Sequence, residues 1–377
     1  MAPGFRIQRI TLFPADIGLE QVFAVATGSL DRARPVFVRL ELASGEVGWG
    51  EMAPFPAITG ETPESSLRAA WSVQDWLCGQ SLLEYRSLFA GLEERLPAAP
   101  AARCGLETAM LDAFCRSLHI PLWAHLGGRD LNGRHRTDIT IPVTDLERTL
   151  ALALSWHRLG FRRLKLKVGV DADLELEKIT RVSRACEQVE FVLDANGGFS
   201  LQDARRFLVN LRRFSIVPLL LEQPLSPLDA EGAAALRAEF GVRVAADEGA
   251  RSVRDVLELA RLGSADVINL KIMKSGLREA IQMAVVAKAC GLQLMIGGML
   301  ETRLAMGCSF ALVLGLGGFD YLDLDTPLLL VEDPWEGGYQ YHGPALLPWR
   351  EPGLGMRPVS EQSFLPCDPE SPQTPCA

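Results

Sequence analysis

The sequence predicts an α/β protein in which an eight-stranded (β/α) barrel follows a smaller α+β domain. Three observations carry this. Apolar, β-rich stretches recur about every 24 to 28 residues through the second half, with helix-like segments between them. Residues up to about 60 carry period-two runs and Gly-rich turns, and from about Glu64 to His125 the apolar residues fall three and four apart. At 377 residues and 48% hydrophobic composition, the chain exceeds what one simple domain usually needs.

The elements follow in order. VFVRLEL and the turns of ASGEVGWGE read as a β-meander, and ESSLRAAWSVQDWL and CGLETAMLDAFCRSL read as helices. The turn-rich GGRDLNGRHR then leads to strands expected at TDITIPV, RLKLKV, EFVLDA, PLLLE, VRVAAD, DVINLK, LQLMIG and YLDLD. Eight is the count a closed small barrel needs. The tail beyond about Trp349 is rich in Pro and Gly, and CDPESPQTPCA is expected to be disordered because it has almost nothing to bury. Two unrelated α/β domains are the alternative partition.

A net charge of −9 argues against a nucleic-acid or anionic-membrane partner. The start, MAPGFRIQRITLF, lacks a continuous apolar core with a cleavage site, and no uncharged apolar run approaches about 18 residues. A cytoplasmic protein is expected. The eight cysteines form no CxxC pair and are read as reduced thiols. His119, His125, His135, His157 and His342 are scattered over helices and loops and are read as structural.

The candidate chemistry lies at the strand ends, which converge on one mouth of such a barrel. Lys165 and Lys167, two apart in a strand, point to the same face, while Leu164, Leu166 and Val168 face the outer helices. Read alone, KxK is also ordinary surface charge on an edge strand, but a closed barrel has no such edge. Asp194, Glu222 and Asp247 end three successive strand candidates, where three anions repel unless a cation lies between them. Oxygen ligands with room for water and substrate suit Mg²⁺. The alternative for each is an N-cap on the following helix. With no His at a strand end in this region, a zinc hydrolase does not fit.

The set KxK, DANG, EQP, ADE and NLK, in this order and at near-even spacing, resembles the muconate-lactonizing subgroup of the enolase superfamily from the N-terminus to about residue 355. The resemblance implies a modified (β/α)7β TIM-type barrel carrying an N-terminal α+β capping domain. Residues 1–130 would form the capping domain, 131–335 the catalytic barrel, and 336–377 a segment returning to the capping domain. It implies Mg²⁺ on Asp194, Glu222 and Asp247, with Lys167 and Lys271 as acid/base catalysts on opposite faces of the substrate and Lys165 assisting. A proton next to a carboxylate is very weakly acidic, so such an enzyme must stabilise an enediolate dianion. A Lys base with Mg²⁺ is a named pattern of that superfamily. Two opposed lysines permit removal from one side and return from the other, and the simplest outcome is epimerisation.

Asp323 and Asp325 in FDYLDLDTPLLL would share a face at the mouth, attract an ammonium and repel a second carboxylate. This DxD resembles the feature by which dipeptide epimerases of the subgroup hold the α-ammonium of an L,L-dipeptide, so a dipeptide is the expected substrate. A turn with capping aspartates before Pro327 is the alternative. Thr140 and Gly298 match substrate-lining positions of that family. GWGEMAPFPAITGET resembles a capping loop over the mouth, with Glu51 and Thr59 to Thr62 near substrate; an ordinary flexible loop is the alternative. Racemisation of N-acylamino acids, o-succinylbenzoate synthesis and muconate cycloisomerisation keep the same lysines and metal, but leave the aspartate pair without a use. A scaffold protein without catalysis has no need of the lysines and acids. ADIGLEQVFAVATGSL carries Asp16, Glu20 and Phe23 and no cation before Arg32, so apolar or cationic dipeptides are expected to outperform Ala-Glu. A homo-oligomer is left open.

Overall fold

The structure is a computed structural model that describes residues 3–25, 28–128, 135–360, 364, 366 and 367, with the side chains of residues 3 and 22–29 excepted. The tail from 368, Cys376, the connection over 129–134 with the domain boundary expected there, and the Phe23 side chain lie outside the described residues.

Five strands open the chain: β1 (Ile7–Pro14), β2 (Ile17–Val25), β3 (Gly28–Ala33), β4 (Val36–Leu42) and β5 (Val47–Met52). The expected meander is divided, because β1, β4 and β5 form one antiparallel sheet while β2 and β3 make a separate hairpin. Five helices follow: α1 (Pro56–Thr59), α2 (Pro63–Leu77), α3 (Tyr85–Arg95), α4 (Pro100–Ser117) and α5 (Leu122–His125). A reciprocal capping box starts α2, with Ser65 N–H donating to Thr62 Oγ1 at 3.2 Å and Thr62 N–H to Ser65 Oγ at 2.8 Å. Helix α3 lies within the stretch from about Glu64 to His125 whose apolar spacing reads as helical. Every residue of α4 from Ala101 to Cys115 is buried. It can press on β5 because Gly48 and Gly50 lack a Cβ that would strike the α4 backbone at Ala109 and Gly105.

After β6 (His135–Arg136), eight strands alternate with helices: β7 (Ile139–Ile141), α6 (Leu146–Arg158), β8 (Arg163–Lys167), α7 (Ala172–Ala185), β9 (Glu190–Asp194), α8 (Leu201–Arg213), β10 (Leu220–Glu222) and α9 (Ala230–Phe240) come first. Then come β11 (Val244–Ala246), α10 (Val253–Leu262), β12 (Val267–Leu270), α11 (Ile272–Ser275), α12 (Leu277–Ala289), β13 (Gln293–Ile296), α13 (Arg303–Leu316) and β14 (Phe319–Leu322). They form one parallel sheet in sequence order, and its two end strands meet where Asp138 N–H donates to Leu322 O at 2.9 Å. The predicted α/β barrel with an N-terminal capping domain of strands and helices is therefore present. The last strand stops at Leu322, so Asp323 and Asp325 stand beyond it rather than within it, before a 3₁₀ turn over Thr326–Leu329.

Strand alternation sorts the barrel. Leu164, Leu166 and Leu193 pack in the layer beneath the outer helices, while Val192, Leu220, Ala245, Val267, Met295 and Tyr321, one from each of six strands, form a separate apolar cluster. Register places Lys165 beside Val192 on one side and Thr140 on the other, so the charged residues stand over this apolar plug.

The chain from Trp335 on packs on both the barrel, where Ala345 and Leu346 pair with β6 and Tyr339 meets Phe310 at 5.8 Å, and the first domain. Trp335 stacks on Phe364 at 5.5 Å and meets Phe37 and Trp49 edge-on at 5.1 and 5.0 Å. Gly353 exchanges backbone hydrogen bonds with Ile120 and Leu122, and Leu354 N–H donates to Asp112 at 2.6 Å. Cys78, Cys104, Cys115, Cys186, Cys290 and Cys308 form no disulfide. Among the described residues no helix is long and apolar enough to cross a membrane.

Candidate active site

Parallel register brings the first acids together. Lys167 lies opposite Asp194, and Asp194 opposite Glu222, while Asp247 and Lys271 each follow their strands by one residue. The helices after these strands are capped by Ser200, Asp229 and Ser252, so none of Asp194, Glu222 and Asp247 serves as a cap. The three acids are free for other partners.

Those partners are lysines. Lys165 Nζ lies 2.8 Å from Glu222 Oε2, 2.8 Å from Asp323 Oδ2 and 3.1 Å from Asp194 Oδ2. Lys167 Nζ lies 2.7 Å from Asp194 Oδ2, and Lys271 Nζ lies 2.7 Å from Asp247 Oδ2. Lys274, which the sequence did not single out, reaches both Oδ1 and the carbonyl of Asp247 at 2.5 Å. Asn269 donates to Glu222 Oε1 at 2.9 Å, and Asn196 to Glu248 Oε1 at 3.0 Å. Gln223, strained at φ 36°, accepts from the N–H groups of Asp247 and Gly249 at 3.0 and 2.9 Å and thereby ties the end of β10 to that of β11. This is the physical role of the Gln in EQP.

The electrostatics follow from burial and these pairs. Burial alone would raise Asp194 and Asp247, but Lys167, Lys165 and Lys271 outweigh it at Asp194, and Lys271, Lys274 and Lys165 at Asp247. Both carboxyls sit far below the ordinary range. Burial and Asp194 push Glu222 up to about 8 despite Lys165. Burial opposes the charge on Lys165, yet Asp323, Glu222 and Asp194 raise it well above an ordinary lysine. Lys271 is likewise raised against burial, chiefly by Asp247. Both shifts favour the ammonium form.

Lys165, Lys167, Lys271, Thr140, Gly298, Asp323 and Asp325 line one cavity of about 40 Å³, with Asn196, Glu248, Met299 and Thr326 beside them. Phe55 and Ile58 are the capping-loop residues that reach it. A Cβ at Gly298 would overlap the Met306 methyl and press on the Glu301 carboxylate, so a larger residue there requires the Met306 side chain to move. Glu51 and Thr59 to Thr62 are placed elsewhere, which corrects the expectation for them. Glu51 accepts from Thr302 N–H, Thr302 Oγ1–H and Ala305 N–H at 2.9, 2.6 and 3.0 Å at the start of α13. Glu61 accepts from Ala101 and Ala102 N–H at the start of α4, and Thr62 caps α2. Asp16 pairs with Arg32 at 2.5 Å. His125 meets Tyr85 and His157 meets Glu187 O, and no histidine lines the cavity.

Asp325 makes no cap on the turn that follows it. Its Oδ2 accepts from Thr140 N–H at 2.5 Å. With Asp323 and Asp138 it forms a buried trio in which one oxygen from each lies within 4.8 Å of the others. Burial and Asp323 raise Asp325 to about 7, and burial with Asp323 and Asp325 raises Asp138 well above the ordinary range. Protons let these acids crowd. Asp138 was missed in the sequence, although it lies two residues before Thr140 and therefore on the same face.

The residues at β9 to β11 offer donors of the kind Mg²⁺ takes, although Asp194 and Asp247 are paired with lysines and the acids with oxygens within 4.8 Å of one another among the described residues are Asp138, Asp323 and Asp325. The donors are oxygens, and Asn196 Oδ1, Glu248 Oε2 and Glu222 Oε2 are buried acceptors that take no hydrogen bond. Glu222 Oε2 is nevertheless 2.8 Å from Lys165 Nζ, an ion pair without a directed hydrogen bond. A divalent ion satisfies such acceptors.

Residues 148–362 match the enolase C-terminal domain-like family, and residues 9–127 match the N-terminal domain of mandelate racemase and muconate lactonizing enzyme. The chain is 41% identical over 341 residues to an aromatic dipeptide epimerase of Herpetosiphon aurantiacus, covering 90% of this chain and 95% of that protein. A crystal structure of a mandelate racemase/muconate lactonizing protein from Herpetosiphon aurantiacus superposes with a TM-score of 0.90 at 40% identity, covering 95% of this chain and 99% of the other. The dipeptide epimerase of Enterococcus faecalis V583, solved with Mg and L-Leu-L-Tyr, gives 0.88 at 29% identity over 93% of this chain and 99% of its own. With the N-terminal domain and the barrel each matched and relatives aligned over nearly their whole length, the chain belongs to the mandelate racemase and muconate lactonizing enzyme family of the enolase superfamily.

Proposed function

We propose that this protein is an Mg²⁺-dependent isomerase that epimerises L,L-dipeptides at the α-carbon of the C-terminal residue by two-base 1,1-proton transfer. One observation carries the reading: Lys167 and Lys271 line the same cavity as Asp323 and Asp325, from strands four places apart in a ring of eight. Strands so related stand on opposite walls. Two lysines on opposite walls can address opposite faces of one carbon.

Asp194, Glu222 and Asp247 would hold Mg²⁺, which when bound supplies positive charge to stabilise the enediolate dianion. Lys165, held between Asp194, Glu222 and Asp323, contributes fixed positive charge beside the reacting carboxylate. One of Lys167 and Lys271, in its neutral form, takes the α-proton, and the other, as an ammonium, returns a proton from the opposite wall. The configuration inverts, and the lysines exchange roles for the other epimer. Asp323 and Asp325 hold the α-ammonium of the N-terminal residue and orient the dipeptide across the mouth. The acids Asp138, Asp323 and Asp325 count against an N-succinyl or second carboxylate arm, and so against N-acylamino acid racemisation, o-succinylbenzoate synthesis and muconate cycloisomerisation. The aligned epimerases support the same choice.

The test is a dipeptide library incubated with the enzyme in D₂O, with Mg²⁺ or with a chelator, and read by mass spectrometry. One deuterium should enter the C-terminal residue of reactive dipeptides only when Mg²⁺ is present. Exchange that survives chelation overturns the metal assignment, and a library without exchange overturns the substrate class.

A further inference from the structure

We infer that the substrate's N-terminal residue carries a bulky apolar side chain, seated in a second cavity behind Thr140; this rests on the dipeptide reading above. That cavity measures about 310 Å³. A void of roughly 150 Å³ lined by Leu, Ile and Phe is enough to hold benzene, so an aromatic side chain fits with room to spare.

The lining fits this occupant. Leu19, Pro142, Leu152, Trp156, Leu328 and Leu330 supply most of the wall, while Glu20, Gln21 and Ser155 are its polar members. Trp156 meets Phe161 edge-on at 5.3 Å, which backs its ring from one side. Both domains contribute. A backbone bridge joins Leu19 to Leu330, and Val331 N–H donates to Gly18 O at 2.9 Å, so the hairpin of the first domain is stitched to the turn after the last barrel strand.

Position decides which substrate residue reaches it. Thr140 lines both cavities, and its backbone N–H donates to Asp325 Oδ2 at 2.5 Å. Leu328, also in the lining, donates its N–H to Asp325 O at 2.8 Å. Two lining residues of the second cavity therefore hang on the residue assigned to the substrate ammonium. None of Lys165, Lys167 and Lys271 lines it. The side chain beside the ammonium enters it, whereas the α-carbon that exchanges its proton stays between the lysines.

The experiment is a series of L-Xaa-L-Ala dipeptides, with Xaa as Gly, Ala, Leu, Phe or Trp, assayed for α-deuteration of the C-terminal alanine. For the wild-type enzyme, kcat/KM should rise about tenfold or more from Ala to Phe, the scale on which apolar pockets discriminate. Leu152→Trp fills the cavity and should collapse the Phe-to-Ala ratio by about tenfold or more. Leu152→Ala enlarges it and should move the optimum from Phe toward Trp, a gain that a poorly folded variant cannot imitate. A flat wild-type series, or ratios that neither variant changes, overturns the cavity assignment while leaving dipeptide epimerisation standing. If no dipeptide exchanges at all, the dipeptide reading itself fails, and the cavity assignment falls with it.

Discussion

Lys274 Nζ lies 2.5 Å from both Oδ1 and the carbonyl oxygen of Asp247, while Lys271 holds Oδ2 of the same carboxylate at 2.7 Å. Asp247 is fixed from two sides. Lys274 also donates to Asn269 O at 2.9 Å, so it ties the end of β11 to that of β12. Replacing it with Met strips both carbonyls of a donor and leaves a buried carboxylate with one cation fewer. Asp247 keeps Lys271, so the loss is that of charge-assisted hydrogen bonds, about 1.5 to 3 kcal/mol. Urea unfolding at pH 7 should show Lys274→Met destabilised by that order, and an unchanged midpoint with an unchanged slope contradicts the role assigned to Lys274.

The two reacting lysines should fail asymmetrically. With Lys167→Ala, one epimer of a reactive dipeptide should lose α-deuterium exchange while the other retains a measurable rate, and Lys271→Ala should show the mirror pattern. Loss of the same epimer's exchange in both variants rules out bases on opposite faces.

Asp323 and Asp325 should make the free amine matter. Acetylating or succinylating it removes the charge these buried acids would pair with. Breaking a buried, hydrogen-bonded charge pair on one side costs roughly 3 to 5 kcal/mol, a loss of more than about a hundredfold in kcat/KM. N-succinylamino acids that match or exceed free dipeptides would transfer the reading to acylamino-acid racemisation.

Glu51 gives the fold a pH dependence with a defined sign. Burial raises it from 4.5 to about 7 against three hydrogen bonds from Thr302 and Ala305. Between these values the unfolded chain has released a proton that the folded chain keeps, so stability is lost as pH rises from 4.5 to about 7. The contribution is on the order of 3 kcal/mol at most. Glu51→Gln should be weaker at pH 5, where it loses acceptors for the α13 N-terminus, and should decline less than wild type between pH 5 and 7.5. Parallel declines in urea midpoint would show that Glu51 does not titrate in this window.

The barrel was legible because a strand has a period of two: RLKLK and EFVLD announce both a buried layer and the charged residues that face the other way. Lys167 and Asp194 also share a register, so neighbouring motifs in sequence order become neighbours in space. Other residues gave no such signal. Lys274 is one lysine on a four-residue helix, and only the fold turns it toward Asp247. Glu51 sits in a Gly-rich loop signature suggestive of substrate, yet its partner Thr302 is 251 residues away. Asp325 was read with Asp323 as one pair on one strand, but the chain leaves the strand at Leu322, so Asp323 meets Lys165 while Asp325 meets the Thr140 backbone. By itself the sequence determined the strand ends and the kinds of charge they carry, since periodicity assigns a side chain to a face. Tertiary structure alone decided which charge neutralises which and which acids keep a proton, because those depend on distances between chain segments far apart in sequence and on the water excluded when they meet.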